Sequence, residues 1–250
     1  MTFLLFFSFV ASAGLMVLSW RDRGEGETDF HKAATWLGQL GFIGTWAIFV
    51  PVNVWAKITH QTESWIFGSE TFDGGIVETA TIGFYGGAIV CAFLLFRRAS
   101  AIYGSQAAPM WRIILMLGIM SFIVMIGEEI SWGQHWLGFA TPEGLAEVNL
   151  QHESNVHNLV SPRIYDAIYQ VLGFSLILGP PVATYWLRSC SHLTIVRFLR
   201  DCFSWPVTYG LMVSAGILLQ HEAFEELSEM VLAFAVFHAL LSLSLRPKRA

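Results

Sequence analysis

The sequence predicts an all-α fold, a polytopic bundle of transmembrane helices, and three observations predict it. The 250 residues are 54% hydrophobic and only 13% charged, about half the charged share of a soluble domain. The mean hydropathy is +0.55. Apolar runs of about 20 residues recur along the chain, the length an α-helix needs to cross a hydrocarbon core of about 30 Å. Residues 1–250 form a single integral membrane domain, with one longer polar outer segment at 133–163.

Seven spans follow in order: Phe3–Trp20, Thr35–Trp55, Gly75–Phe96, Arg112–Trp132, Ile164–Leu187, Pro206–Ala223 and Ser228–Leu245. The first ends at Arg21 and Arg23, has no basic residues before it, and is expected to be retained, although Ala-Ser-Ala at 11–13 could serve as a cleavage site. The second carries Gly41, Gly44, Pro51 and Asn53, a packing face and a tolerated kink. The third carries Thr79, Gly83 and Gly87 at four-residue spacing, a stripe that lets helices approach closely. The sixth and seventh are short, so one broken helix, giving six spans, is the rival reading. Trp36, Trp46, Trp55, Trp65, Trp132, Trp136, Trp186 and Trp205 fall mostly near predicted interfaces, as an aromatic belt does.

Charge gives the orientation. With seven spans, 12 of the 14 Lys and Arg residues fall on one side, and only Lys57 and Arg163 on the other. The basic side is the cytoplasmic one, so the N-terminus is expected outside and the C-terminus inside. Of the 19 acids, 14 fall outside or in the outer leaflet. That outer face attracts cations, or is simply a solvated acidic rim. The three cysteines, Cys91, Cys190 and Cys202, form no CxxC pair, which argues against a disulfide framework and a cysteine-based zinc site. The short inner loops carry no nucleotide-binding fingerprint, and no nucleic-acid partner is expected.

Glu128 and Glu129 close the fourth span. A carboxylate at bilayer depth costs several kcal/mol unless it is neutralised, paired or bound to a cation. Counting from Arg112 and from Trp205, Glu128 and His221 each lie 16 residues along outward-running spans, about 24 Å across. Glu128–Glu129 and His221–Glu222 are therefore expected at one depth. Glu222, Glu225, Glu226 and Glu229 share one helical face, which needs water or a cation. His221-Glu222-Ala-Phe-Glu225 departs from the metalloprotease pattern HExxH, because Glu225 replaces the second histidine. His238, mid-span without an acidic neighbour, is expected to be a hydrogen-bonded core residue.

The outer segment contains Thr141-Pro142-Glu143, a helix start predicting a short interfacial helix over about 142–147. Beyond it Asn149, Gln151, Glu153, Asn155 and His157 alternate, so an extended chain would point all five one way. Such polar backbone suits a lid over the outer mouth or an ordinary loop with local hydrogen bonds.

Carboxylates and imidazoles together suit a divalent metal such as zinc, manganese or iron. The candidate ligands are Glu129, His135, Glu153, His157, His221 and Glu225, and the candidate catalytic groups are Glu128, Glu129 and His157. A carboxylate pair also works without metal, one Glu protonated and the other ionised. The leading expectation is an outward-facing Glu/His pocket in a bacterial inner-membrane protein, supporting hydrolysis or group transfer on a lipid-type substrate. A structural or assembly subunit with a membrane-protein partner is the alternative, and a cation- or proton-coupled transporter the third reading.

The block Gly-Glu-Glu-Ile-Ser-Trp-Gly-Gln (127–134), with the Asn-x-Gln-x-Glu run and His157-Asn158 after it, resembles uncharacterised bacterial polytopic membrane proteins over about thirty residues. The resemblance implies a bacterial multi-pass membrane protein and no particular activity. The seven-span topology is also similar to that of the alkaline ceramidase class of membrane hydrolases. Their HxxxH zinc pair has no counterpart here, so the likeness is one of topology alone.

Overall fold

The computed structural model describes residues 29–59, 75–149, 154–155, 159, 161–185 and 206–245, and among these the secondary structure is entirely helical. The expected first span lies outside the described residues. Helix α1 (Asp29–Gly44) runs through a π-helical turn (Thr45–Phe49) into α2 (Val50–Ile58). After it come α3 (Ile76–Tyr103) and α4 (Ala108–Glu129). A 3-10 turn (Ser131–Gly133) and the short α5 (Gln134–Leu137) and α6 (Glu143–Ala146) follow. Then come α7 (Pro162–Tyr185), α8 (Pro206–Leu218) and, past a 3-10 turn (Glu222–Phe224), α9 (Glu225–Ser244).

Four helices are long and apolar enough to cross a membrane: Lys32–Ile58, Ile76–Tyr103, Ala108–Glu129 and Glu225–Ser244. Helix α8 is apolar but has 13 residues, about 20 Å of rise. Helices α8 and α9, at the sixth and seventh expected spans, pack against each other as separate helices. Their joint is the 3-10 turn at Glu222–Phe224, where Phe224 is buried and anchors the reversal.

The π-helical turn has a local cause. Pro51 has no N–H, and its ring would press on the carbonyl four residues back in a regular helix. The wider turn relieves that, with the Val50 amide bonding the Thr45 carbonyl five residues earlier.

Helix α9 is central, packing against α3, α8 and α1. One apolar cluster joins Phe42, Trp46 and Val50 to Leu211 and Leu218 of α8 and to Leu227, Val231 and Phe234 of α9. A second joins Ala88, Ala92 and Leu95 of α3 to Leu115 of α4 and Leu240 and Leu243 of α9. Helix α4 packs mainly on α3 and leaves Ile113, Met116, Leu117, Met120 and Ile123 exposed. In a membrane protein such a face meets lipid.

Polar pins set the register. His238 is fully buried, as the sequence led us to expect of a core histidine, with Nε2 2.9 Å from the Ala34 carbonyl and Nδ1 2.8 Å from the Thr208 hydroxyl. A carbonyl only accepts, so Nε2 carries the proton, and Nδ1 accepts from Thr208. The ring thus ties α1, α8 and α9 together. At one end of the bundle Arg98 donates to the Ser244 carbonyl at 2.5 Å, and Arg112 lies over the Phe96 ring.

Close crossings occur where side chains are absent. A Cβ on Gly87 would lie 2.8 Å from the Phe237 ring, whereas Gly83 faces open space, so only part of the expected stripe is a contact. Gly41 is likewise closed off by Phe234 and Gly44 is open. The tightest reciprocal contact joins α7 and α8, where each of Gly173 and Gly216 faces the other's backbone carbonyl.

Candidate functional site

The carboxylates collect at the end of the bundle opposite Arg98. Glu78 opens α3, 20 residues before Arg98 on the same helix, a rise of about 30 Å. Glu129 closes α4, and Glu225, Glu226 and Glu229 open α9. Among the described residues Glu129 interacts electrostatically most strongly with Glu229, then with Glu78 and Glu226. Glu229 in turn senses Glu225, Glu226 and Glu78. Three helices therefore bring carboxylates within electrostatic reach of one another. Lys57, at the end of α2, is the cation that Glu226 senses. Like charges in a poorly solvated place need neutralising charge, a shared proton or a cation.

Tyrosines complete the cluster. The Tyr169 hydroxyl donates to Glu229 Oε1 and is hydrogen-bonded to the Tyr165 hydroxyl. The two rings lie 4.3 Å apart between centroids, because positions 165 and 169 are one turn apart on α7. Tyr85, on the same face of α3 as Glu78, senses both Glu229 and Glu129 and stacks on Phe122 of α4.

The Gly-Glu-Glu-Ile-Ser-Trp-Gly-Gln block is a built structure. Ser131 (φ 45°), Trp132 (φ 54°) and Gly133 (φ 82°) are successive residues in the left-handed region. Only the glycine adopts it without cost; for the other two it stores about 1–3 kcal/mol each. The turn folds Trp132 back over the end of α4, where Nε1 donates to Glu128 Oε1 at 2.8 Å. Gly127 is required beneath it, since a Cβ there would lie 2.9 Å from the indole. Glu128 is thus held by Trp132, while Glu129 points to the cluster.

The same block is bonded to residues that follow it in the chain. Gln134 Nε2 donates to Thr141 Oγ1 at 2.9 Å, and its Oε1 accepts the Ser154 amide at 2.6 Å. Asn155 Nδ2 donates to Ser131 Oγ at 3.2 Å, and Asn149 Nδ2 donates to the Asn155 carbonyl at 2.8 Å. Asn149 and Asn155 are both buried, two of the five alternating residues expected to face one way. The short helix begins at Glu143, one residue later than expected, with Pro142 as the flanking residue and not the first helical one. Thr141 receives the Gln134 amide bond beside it.

Beside the cluster lies a cleft of about 230 Å³, lined by Asp166, Tyr169, Gln170, Leu219, Gln220, His221 and Glu225. His221 is exposed, its Nδ1 accepts the Ala223 amide at 3.1 Å, and its ring meets Phe224 edge-on. Tyr169 borders both cleft and cluster.

The sequence-derived candidates separate accordingly. Glu129 joins the cluster, Glu128 is turned to Trp132, and Glu225 and His221 line the cleft. Glu153 and His157 lie outside the described residues, as do the side chains of His135 and Glu222. Among the described residues no three His, Cys, Asp or Glu side chains form a metal-holding group. Depth counting matched Glu129 with His221–Glu222, and the Glu222 side chain lies outside those described; among the described residues Glu129 senses Glu229 most strongly. The 3-10 turn at Glu222–Phe224 leaves His221 exposed and sends α9 back along the bundle. Glu78, Tyr85, Tyr165 and Tyr169 were not among the candidates. The four-residue spacing of Tyr165 and Tyr169 was the available signal.

No family model, curated protein or solved structure matches the chain.

Proposed function

We propose that this chain is a seven-span bacterial inner-membrane protein whose outward-facing end carries an acid–base site for hydrolysis or group transfer on a lipid-type substrate. The observation that supports it is Glu129 of α4 within electrostatic reach of Glu229 of α9, with Tyr169 bonded to Glu229. Two carboxyls holding one proton between them supply an acid and a base in the same place. The ionised carboxyl of the Glu129–Glu229 pair takes a proton from the attacking water or hydroxyl while the protonated one gives its proton to the leaving group, Tyr169 orients Glu229 and faces the cleft, and the cleft receives the substrate's polar end. The orientation rests on the 12-to-2 split of basic residues in the sequence.

The test uses full-length protein reconstituted with total bacterial lipid, with products followed by mass spectrometry. Turnover is expected, and Glu129→Gln and Glu229→Gln should each lower it by about 100-fold or more while the protein still purifies as a folded species. Chelators should leave the rate unchanged. No product from any lipid, or full turnover in both variants, refutes the proposal. Loss of turnover with chelator, tracked by metal content that falls in Glu129→Gln, would replace it with a metal-dependent site.

A further inference from the structure

We infer that Tyr85 is a catalytic residue of the acid–base site, its hydroxyl donating to the carbonyl oxygen of an uncharged acyl group, an ester or an amide. The inference rests on the acid–base reading above, to which it adds a residue and a substrate class. A phenol carries one hydroxyl hydrogen. That of Tyr169 goes to Glu229. The bond between the Tyr165 and Tyr169 hydroxyls, 2.5 Å long, must then be donated by Tyr165. Both hydrogens are committed. Tyr85 differs: among the described residues its hydroxyl has no hydrogen-bond partner, and it senses Glu229 and Glu129 through charge alone. The residue is only 4% exposed, and a buried hydroxyl without a partner is costly. Its oxygen is nevertheless not one of the sealed, unpartnered side-chain atoms of the described residues, so a group from outside the chain can reach it.

The backbone aims this hydroxyl at the carboxylates. Helical side chains lean toward the N-terminus of their helix. Tyr85 lies two turns after Glu78 on α3, so its phenol leans toward the end where the acids gather. Phe122 lies two turns before Glu129 on α4, and the Tyr85 ring stacks on it with centroids 5.8 Å apart. That stack fixes the ring between α3 and α4, with its hydroxyl toward the half-buried Glu129 and Glu229. Charge selects the substrate. Among the described residues the groups that Glu129, Glu229 and Tyr85 sense are carboxyls and tyrosines, none of them a cation. A phosphodiester anion at the reacting centre would be repelled there, whereas an acyl carbonyl brings no charge until it is attacked.

Water adds its oxygen to the carbonyl carbon and gives a proton to the ionised carboxyl of the Glu129–Glu229 pair. The carbonyl π pair moves onto oxygen, and the Tyr85 hydroxyl, keeping its proton, holds the charge that develops. The electron pair then returns, the bond from carbon to the leaving oxygen or nitrogen breaks, and the protonated carboxyl supplies the proton which that atom needs. A carboxylic acid and an alcohol or amine depart, and the two carboxyls again hold one proton between them.

The full chain, reconstituted with total bacterial lipid in heavy-oxygen water, tests this. Mass spectrometry should find the label in the carboxyl of a released fatty acid. Tyr85→Phe should lower that release by about 100-fold or more, while reversible unfolding shows no loss of stability, because the hydroxyl bonds nothing in the protein. Fluorotyrosine at position 85, a stronger donor of nearly the same shape, should keep the rate at or above that of the native chain, a result that a packing role for the ring cannot give. Label in a released phosphate, an unlabelled product, or full turnover in Tyr85→Phe overturns the inference. Lost stability in Tyr85→Phe also overturns it, since the hydroxyl would then serve the fold. If Glu129→Gln and Glu229→Gln lose turnover while Tyr85→Phe keeps it, the acid–base reading stands and this one falls. Absence of any product from the native chain overturns both.

Discussion

Gly173 and Gly216 control how closely α7 approaches α8, and through it where Tyr169 stands. A Cβ on Gly216 would lie 2.6 Å from the Gly173 carbonyl oxygen, and one on Gly173 would lie 2.5 Å from the Gly216 carbonyl oxygen. Ordinary contact begins near 3.4 Å, so either alanine forces a retreat of about 0.8–0.9 Å between two backbones that cannot rotate away. Overpacking of this kind costs about 1–3 kcal/mol, and removing a helix glycine returns about 0.5–1 kcal/mol. The net expectation is a loss of about 1–2 kcal/mol for Gly173→Ala. Gly83 of α3 has nothing within 4 Å of its would-be Cβ, so Gly83→Ala should be neutral or slightly stabilising. Tyr169 lies one turn from Gly173 on α7, and its bond to Glu229 crosses to α9, so Gly173→Ala should also lower turnover. Reversible unfolding in mixed detergent measures the first effect, and lipid-product formation the second. Equal stability of Gly173→Ala and Gly83→Ala would refute the crossing as described.

Three further outcomes are expected. His238→Phe strands the Thr208 hydroxyl and the Ala34 carbonyl in a buried place, so unfolding should show a loss of about 1–3 kcal/mol, partly recovered when Thr208→Val is added. Asn155→Ala removes the bonds to Ser131 and Asn149, and limited proteolysis should then cut the 139–161 region faster while the helical bundle stays intact. Tyr169→Phe removes the donor to Glu229; turnover should fall about tenfold or more with little change in stability, and an unchanged rate would remove Tyr169 from the site.

The parts legible in the sequence were those carried by one helix at a time. Apolar runs mark the helices at the second to seventh expected span positions. Glu129 stood out because an acid in an apolar run is costly wherever its neighbours lie. The partners of Glu129 were not legible, because pairing across helices depends on rotation about each axis, which an almost uniformly apolar span leaves unspecified. Tyr165 and Tyr169 stand one turn apart on α7, but nothing on that helix points to Glu229, which α9 supplies. The Gly173–Gly216 crossing was hidden for the same reason: each glycine alone resembles Gly83 or Gly179, which face open space. The left-handed Ser131–Trp132 turn was illegible because neither residue type favours it.

That turn also explains why two adjacent glutamates can have different fates. On a helix, successive residues point about 100° apart, so Glu128 and Glu129 cannot both face the bundle. A regular continuation of α4 would leave Glu128 at its apolar outer surface. The reversal at Ser131 and Trp132 instead brings the Trp132 indole back, and its N–H reaches Glu128. The strain of two left-handed residues, about 1–3 kcal/mol each, is offset in part by that hydrogen bond, about 0.5–1.5 kcal/mol, and by the Asn155–Ser131 and Gln134–Ser154 bonds that the turn makes possible. Glu129 is then free of the task of ending the helix and remains available to Glu229, which is the arrangement an acid–base pair requires.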